Sequence, residues 1–147
     1  MTAVTLKKAT IKDVPEFVAL GKIVNSKMYA ARTTNEEIEY SLKNEFVFSI
    51  KKQNETVGLV IYRIKEGNIA KINSLAIYPK YQGNGYAKQA MNLLLIKLKK
   101  FSQIKLEVHP HNTSALCLYL SLGFVIDSWR ENRFGDGEPR IVMVKNK

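Results

Sequence analysis

Along the first half of the chain, apolar and polar positions switch between a period of two and a period near 3.6. Residues 3–8 set Val4 and Leu6 against Thr5 and Lys7, the alternation of a half-buried strand. From Asp13 the period lengthens. Asp13 is a suitable N-cap, with Pro15 and Glu16 in the first turn. Val14, Phe17, Val18, Leu20 and Gly21 start a helical stripe that the pattern carries on through Val24 and Met28. Thr34 opens a second, shorter helix, with Glu37 three residues on as in a capping box and Ile38 and Leu42 on its apolar side. Period two then returns. Residues 46–51 alternate Phe46, Phe48 and Ile50 with Val47 and Ser49; residues 53–55 turn; residues 56–65 come back; Gly67 and Asn68 turn again; and residues 69–78 form a third strand ended by Pro79. This is an antiparallel meander.

The second half reads differently. A glycine-rich turn leads at once into a long helix, with Ala87, Ala90, Met91, Leu94, Leu95 and Leu98 at helical spacing. Ile104, Leu106 and Val108 alternate as a strand. Residues 112–122 are helical and end at Gly123, which suits a left-handed C-cap. Residues 124–133 and 140–145 read as two closing strands joined by Gly135, Asp136, Gly137, Glu138 and Pro139. Strand, long helix and strand through Ile104 make a crossover that sets two strands parallel. The pattern therefore predicts one mixed α/β domain over residues 1–147. Its central sheet is mostly antiparallel, of about seven strands, flanked by about four helices.

Composition narrows the partners. Of 147 residues, 46% are hydrophobic, enough for a sizeable core, and the net charge is +10. That excess of Lys and Arg favours an anionic partner, whether nucleic acid, acidic lipid or a polyphosphate cofactor, and does not choose among them. One cysteine, Cys117, excludes an internal disulfide and a cysteine-rich metal site; it is expected to be a core thiol. His109 and His111 flank Pro110 without a spaced third ligand, so no metal site is expected, and His109 reads as a solvated turn residue. No run approaches the roughly 18 apolar residues of a membrane helix, and residues 1–13 lack a signal-peptide core, so a cytoplasmic chain is expected, with no membrane partner.

The most informative segment is LAIYPKYQGNGYAKQAMNLLL, residues 75–95. An apolar strand ends at Pro79, and Gln82, Gly83, Asn84, Gly85, Tyr86 and Ala87 lead into the helix. Two glycines let the backbone turn tightly, and a helix start offers unpaired N–H groups and a positive dipole end, together a socket for a diphosphate. A P-loop would need Gly-Lys-Ser/Thr, and a dinucleotide fingerprint would need a small residue where Lys88 stands; neither fits. The pattern Gln-x-x-Gly-x-Ala resembles the pyrophosphate loop of the GNAT superfamily of acetyl-CoA-dependent N-acetyltransferases, written Arg/Gln-x-x-Gly-x-Gly/Ala. The Leu-Ala-Ile-x-Pro strand end is similar to that family as well.

A second segment resembles the same superfamily in the same order. Asn112, Ala115, Leu118 and Tyr119, then Gly123 and Phe124, reproduce Asn-x-x-Ala-x-x-Leu-Tyr followed by Gly-Phe. Asn112 can cap its helix and offer its amide to the cofactor, Ala115 leaves room for a pantetheine arm, and Tyr119 lies two turns on, on about the same face. A phenol there can donate a proton to a departing thiolate; the plain alternative is a core tyrosine. On the strand before it, Lys105, Glu107 and His109 point away from Ile104, Leu106 and Val108. Glu107 can take a proton from an ammonium, directly or through water; the plain alternative is a salt-bridged glutamate. The arrangement is similar to the branch that acetylates N-termini of ribosomal proteins, in which the matching glutamate is base and the matching tyrosine acid.

The resemblance implies acetyl-CoA as cofactor. Leu75, Ala76 and Ile77 would pair with pantetheine through backbone groups, and the loop from Gln82 to Ala87 would hold the pyrophosphate. Acetyl transfer to a primary amine would proceed by direct attack in a ternary complex, on a small-molecule amine, an amino acid or a peptide N-terminus. Met28, Tyr29, Arg32, Trp129, Arg130 and Arg133 mix apolar and basic character and are the candidate acceptor residues; basic lining would suit an acceptor that carries carboxylates. The branch usually shows a tyrosine-rich stretch where this chain reads WRENRF. The rival reading is a non-catalytic module that uses the basic surface for RNA or the ribosome, but aromatic-basic stacking and helix-turn-helix signals are both missing, so nucleic acid is not expected. A homodimer is compatible with the sequence and not required by it.

Overall fold

The computed structural model describes residues 3–147, from β1 (Val4–Lys8) to β7 (Arg140–Asn146). Between them run α1 (Val14–Val24), α2 (Asn35–Asn44), β2 (Phe46–Lys52), β3 (Glu55–Lys65), β4 (Ile69–Ile77), α3 (Tyr86–Leu98), β5 (Gln103–Val108), α4 (Thr113–Ser121) and β6 (Val125–Arg130). The strands form one sheet in the order β1-β2-β3-β4-β5-β7-β6. Every neighbouring pair is antiparallel except β4 and β5, which the α3 crossover sets parallel. No helix of the described residues is long and apolar enough to cross a membrane.

Each face of the sheet has its own core. Met91, Leu94 and Leu98 of α3, with Tyr119 and Phe124, pack on Tyr62, Ala70, Ile72, Ile104, Leu106 and Met143. On the other face Phe17 and Leu20 of α1 and Ile38 of α2 cover Val47, Leu59, Ile61 and Ala76. On the second face α1 and α2 lie over the β2–β4 part, which leaves polar side chains of β3, β4 and β5 to line a hollow beyond them.

Local chemistry moves some boundaries. Asp13 does precede α1, but its carboxylate turns back to accept from Thr10 N at 2.7 Å, completing a capping box on the short turn before the helix. At α2 the cap is the one the sequence indicates: Thr34 accepts from Glu37 N at 3.2 Å, and Glu37 accepts from the Thr34 hydroxyl at 3.1 Å. The α1 stripe does not extend to Met28. The helix stops at Val24 because Asn25 becomes extended and accepts from Ala31 N, while Ser26 accepts from Met28 N and Tyr29 N; short polar side chains compete with helical bonding. The loop then folds back over the helix at Gly21, where a Cβ would stand 1.8 Å from the Arg32 carbonyl oxygen. The closing strand predicted through Arg133 ends at Arg130. Asn132 takes a φ of 45°, and its side chain accepts from Gly137 N at 2.6 Å, which bends residues 131–139 into a loop.

One irregularity positions the site. β4 pairs with β5 only from Ile69↔Gln103 to Ile72↔Leu106. On its other side the register jumps from Tyr62↔Ile72 to Ile61↔Ser74, so Asn73 is an extra, bulged residue. Beyond the bulge β4 leaves β5, and the backbone of Ser74 to Ile77 has no strand neighbour on that edge among the described residues.

Candidate active site

The gap between β4 and β5 opens into a cavity of about 500 Å³. Leu75, Ala76 and Ile77 form one wall; Gln82, Gly83, Gly85, Tyr86 and Ala87 form the next; Asn112, Ala115 and Tyr119 close it. The fold thus gathers every residue singled out for the cofactor except Asn84. That amide turns into the loop instead, donating to the Tyr81 carbonyl at 2.9 Å. Gln82 also braces the turn, with Nε2 donating to the Ile77 carbonyl at 3.0 Å.

The turn fits a bulky anion. Gly83 and Gly85 have φ of 83° and 79°, a region that favours glycine, and a Cβ at either would meet nothing within 4 Å. Gly85 is the N-cap of α3 and its carbonyl takes the first helical bond, from Gln89 N, while no side chain caps this end. The N–H groups that begin α3 are therefore unpaired and face the cavity mouth with the positive end of a helix dipole. Lys88 also lines this cavity. It stands in the first turn of α3, the sequence signal that marks it as a candidate phosphate-facing cation beyond its misfit to a dinucleotide fingerprint.

Two tyrosines mark where this cavity meets a second, smaller one of about 90 Å³. Tyr119 is 8% exposed, and burial, with Tyr29 nearby, pushes its phenol far above the usual tyrosine range. Its hydroxyl makes no hydrogen bond among the described residues, yet none of their fully enclosed side-chain polar atoms lacks a partner. The hydroxyl therefore faces open space. Tyr29 lines both cavities and shares a hydrogen bond between its hydroxyl and that of Ser74; burial raises its pKa, and the contact with Ser74 opposes that rise. Ser74 was not singled out in the sequence, because only the bulge at Asn73 turns it toward the gap.

The small cavity also contains Glu107, whose carboxylate is 7% exposed. Lys71 Nζ donates to Oε1 at 2.5 Å and Arg133 Nε to Oε2 at 2.7 Å. Burial pushes the Glu107 pKa up, but Lys71 and Arg133 together pull it further down, below the ordinary 4.5. Lys71 shifts down as well: burial lowers it, and Glu107 only partly restores it because Arg133 and Arg63 stand nearby. The carboxylate has two cationic partners, the ammonium has one anionic partner, and the asymmetry follows. Among the acceptor candidates, Met28 and Tyr29 line the small cavity, while Arg32 and Arg133 line a larger hollow of about 680 Å³ that shares Glu107 with it. Arg32 pairs with Glu45 at 3.1 Å, and Glu45 also accepts from Asn73 at the bulge. Trp129 and Arg130 line none of these cavities; Trp129 is 52% exposed on the edge strand and donates to Glu131 at 2.7 Å.

Two expectations are corrected. His109 is buried, not solvated: His111 N donates to its Nδ1 at 3.0 Å, so Nε2 carries the proton and donates to Glu138 at 2.9 Å. With both ring nitrogens engaged, it is a structural strut. Cys117 is exposed instead of core, because α4 presents Tyr119, two residues on, to the interior. Arg140, missed in the sequence, is buried, donates to the Lys27 carbonyl at 3.2 Å and lies over Phe134, which ties the loop before β7 to the Tyr29 loop.

Residues 17–124 match the acetyltransferase (GNAT) family. The [ribosomal protein bS18]-alanine N-acetyltransferase of Haemophilus ducreyi is 35% identical over 81 residues, 51% of this chain and 56% of the relative, so the match spans little more than half that relative's length. The fold is shared with solved acetyltransferases. The ribosomal-protein-S18-alanine N-acetyltransferase from Escherichia coli superposes with a TM-score of 0.82 at 21% identity over 97% of this chain and 93% of that one. A spermidine N-acetyltransferase chimera from Vibrio cholerae superposes with a TM-score of 0.84 at 22% identity over 99% and 96%.

Proposed function

Because the chain belongs to the acetyltransferase (GNAT) family, we propose that it moves an acetyl group from acetyl-CoA to the α-amine of a peptide N-terminus, by direct attack in a ternary complex. Acetyl-CoA supplies the activated acetyl thioester. The observation that carries the reading is the hydroxyl of buried Tyr119, without a partner among the described residues, facing the cavity that begins at a glycine-flanked helix start that none of them caps.

Each residue then has a physical task. The N–H groups opening α3, with Gly83 and Gly85, hold the diphosphate, and Lys88 adds a charge. The unpaired edge of Leu75, Ala76 and Ile77 pairs with the pantetheine amides, and an N–H at Leu75 or Ala76 polarises the carbonyl to be attacked. The amine needs a free lone pair, so one proton leaves it and reaches Glu107 directly or through water. A carboxylate with a lowered pKa is a weak base, which suits an α-amine with a pKa near 8 better than a lysine side chain near 10.4. As the C–N bond forms and the C–S bond breaks, Tyr119 Oη gives its proton to the sulfur. Burial keeps that phenol protonated at neutral pH, and the same burial raises the proton affinity of a thiolate formed beside it. The bS18-alanine enzyme similar to this chain supports an N-terminal acceptor.

The test has two readouts. Saturating acetyl-CoA should raise the melting temperature, since a ligand at 100 times its Kd stabilises by about 2.7 kcal/mol. Release of free CoA should then depend on an N-terminal peptide and stop when its α-amine is blocked. No thermal shift at millimolar acetyl-CoA, or release that ignores the blocked amine, would count against the reading.

A further inference from the structure

Next to the small cavity, one sheet face collects more cations than carboxylates to pair with them. Lys71 on β4 stands directly opposite Arg63 on β3 and Lys105 on β5, so three adjacent strands set three like charges in a row. Lys65, two residues beyond Arg63, shares the face. Its pKa is lowered by burial and then by Lys105, Arg63 and Arg130 around it. Like charges directly opposite one another destabilise a sheet. Glu107 offsets only part of this, through its bonds to Lys71 and Arg133. Among the described residues, Arg63, Lys65, Lys105 and Arg130 form no ion pair. The row also borders the acceptor side: Arg63, Lys71 and Arg133 line the larger hollow with Glu107, and Glu107 lines the small cavity with Tyr119.

We infer that the acceptor is the N-terminus of an acidic polypeptide, whose next few carboxylates lie along Arg63, Lys65 and Lys105 while its amine sits between Glu107 and Tyr119. The inference rests on the transferase reading above. Strands lie about 4.8 Å apart, so the row from Arg63 to Lys105 spans about 10 Å, the reach of about three extended residues. A free amino acid, with its carboxylate beside its amine, cannot cover it. A polyamine would be repelled along its whole length. The cations also favour the free form of an amine brought beside them, which assists an acceptor that a weak base must deprotonate. Nucleic acid could use the same charges, but the row borders the hollow that shares Glu107 with the cavity holding Tyr119, which favours the molecule being acetylated.

The test uses three peptides of one length with the same first residue and Glu, Gln or Lys at the next four positions. CoA release is measured on the wild type and on a Lys65→Glu/Lys105→Glu variant, with Lys105→Gln as a milder change. An exposed ion pair is worth up to about fivefold, so the Glu peptide should exceed the Gln peptide about tenfold in kcat/KM, and the Lys peptide should fall below both. The preference should weaken with salt and reverse in the double variant, while the acetyl-CoA thermal shift stays unchanged. Equal or opposite preference in the wild type, or a double variant that keeps the Glu preference, would overturn the inference. So would a single-stranded RNA oligonucleotide that binds this face with no peptide preference beside it. A wild type that acetylates only small amines would sink the acidic peptide and leave the transferase standing; no thermal shift and no CoA release with any amine would sink the transferase itself.

Discussion

The two ends of the β4–β5 gap are built from different materials. At the end formed by α3 and α4, much of the lining is main chain and small residues: Gly83, Gly85, Ala87, Ala115 and the edge of Leu75, Ala76 and Ile77 that pairs with no strand among the described residues, with Tyr86, Lys88 and Tyr119 beside them. At the other end it is charged and polar side chains that hold one another: Lys71 and Arg133 on Glu107, and Arg32 and the Asn73 amide on Glu45. Main-chain donors are fixed by the fold before any ligand arrives, so the first end is preorganised and tolerant of side-chain change wherever space is kept. Side-chain pairs can be re-partnered, so the second end can be retuned by single substitutions. Chemistry common to a family belongs on the first kind of surface and acceptor choice on the second.

The sharpest way to break this comparison is at Gly85. A Gly85→Glu substitution puts a β-branchless but bulky anion at a φ of 79°, in the mouth where the helix N–H groups point. Strain, lost space and like charge act together, and acetyl-CoA affinity should fall at least about 100-fold. Calorimetric titration checks it. Normal affinity would mean that the diphosphate sits elsewhere and that the main-chain end is no socket. Next in size is Tyr119→Phe. With no hydrogen-bond partner among the described residues, the hydroxyl can be removed without stranding another polar atom. Turnover should drop about 100-fold while acetyl-CoA affinity and melting temperature hold, as the loss of one positioned acid would give. Unchanged turnover would return Tyr119 to the status of a core tyrosine.

The same division explains what could be read from the sequence. The preorganised end depends on residues with few conformational alternatives, such as glycines at positive φ and a helix start, and on a tyrosine two turns past the helix cap at Asn112. Local spacing reveals these, and all but Asn84 of the cofactor candidates line one cavity. The sheet, its parallel pair and its crossover were legible for the same reason. The charged end depends on which side chains meet across strands, and no local pattern states that. Glu107 was readable as facing away from the core, but its partners Lys71 and Arg133 lie 36 and 26 residues away. Ser74 became relevant through a one-residue bulge, and Met28 left its helix because Asn25 and Ser26 captured the backbone. Cys117 and His109 exchanged their expected exposure because helix phase and a turn hydrogen bond, set by tertiary packing, decided them.

The mildest change sharpens the comparison at its charged end. Glu107→Gln keeps the shape and removes the charge that two cations share. The folded-state pKa of Glu107 is depressed, so its stabilisation is complete above the unfolded value near 4.5 and is lost as pH falls through the folded value below it. At pH 7 the variant should therefore be less stable than the wild type by about 2–3 kcal/mol, because Lys71, with a side chain 8% exposed, loses its counter-charge. The gap should close as pH falls through the depressed folded-state pKa of Glu107, where the wild-type carboxylate also becomes neutral. Urea unfolding at several pH values measures this directly, and a gap independent of pH would mean that packing, not charge, holds the site. Kinetics separates the roles. If Glu107 receives the amine's proton, kcat should fall about tenfold and recover at high pH, where the amine is already free. If the carboxylate only holds Arg133 and Lys71 for the acceptor, KM should rise and the pH profile should keep its shape.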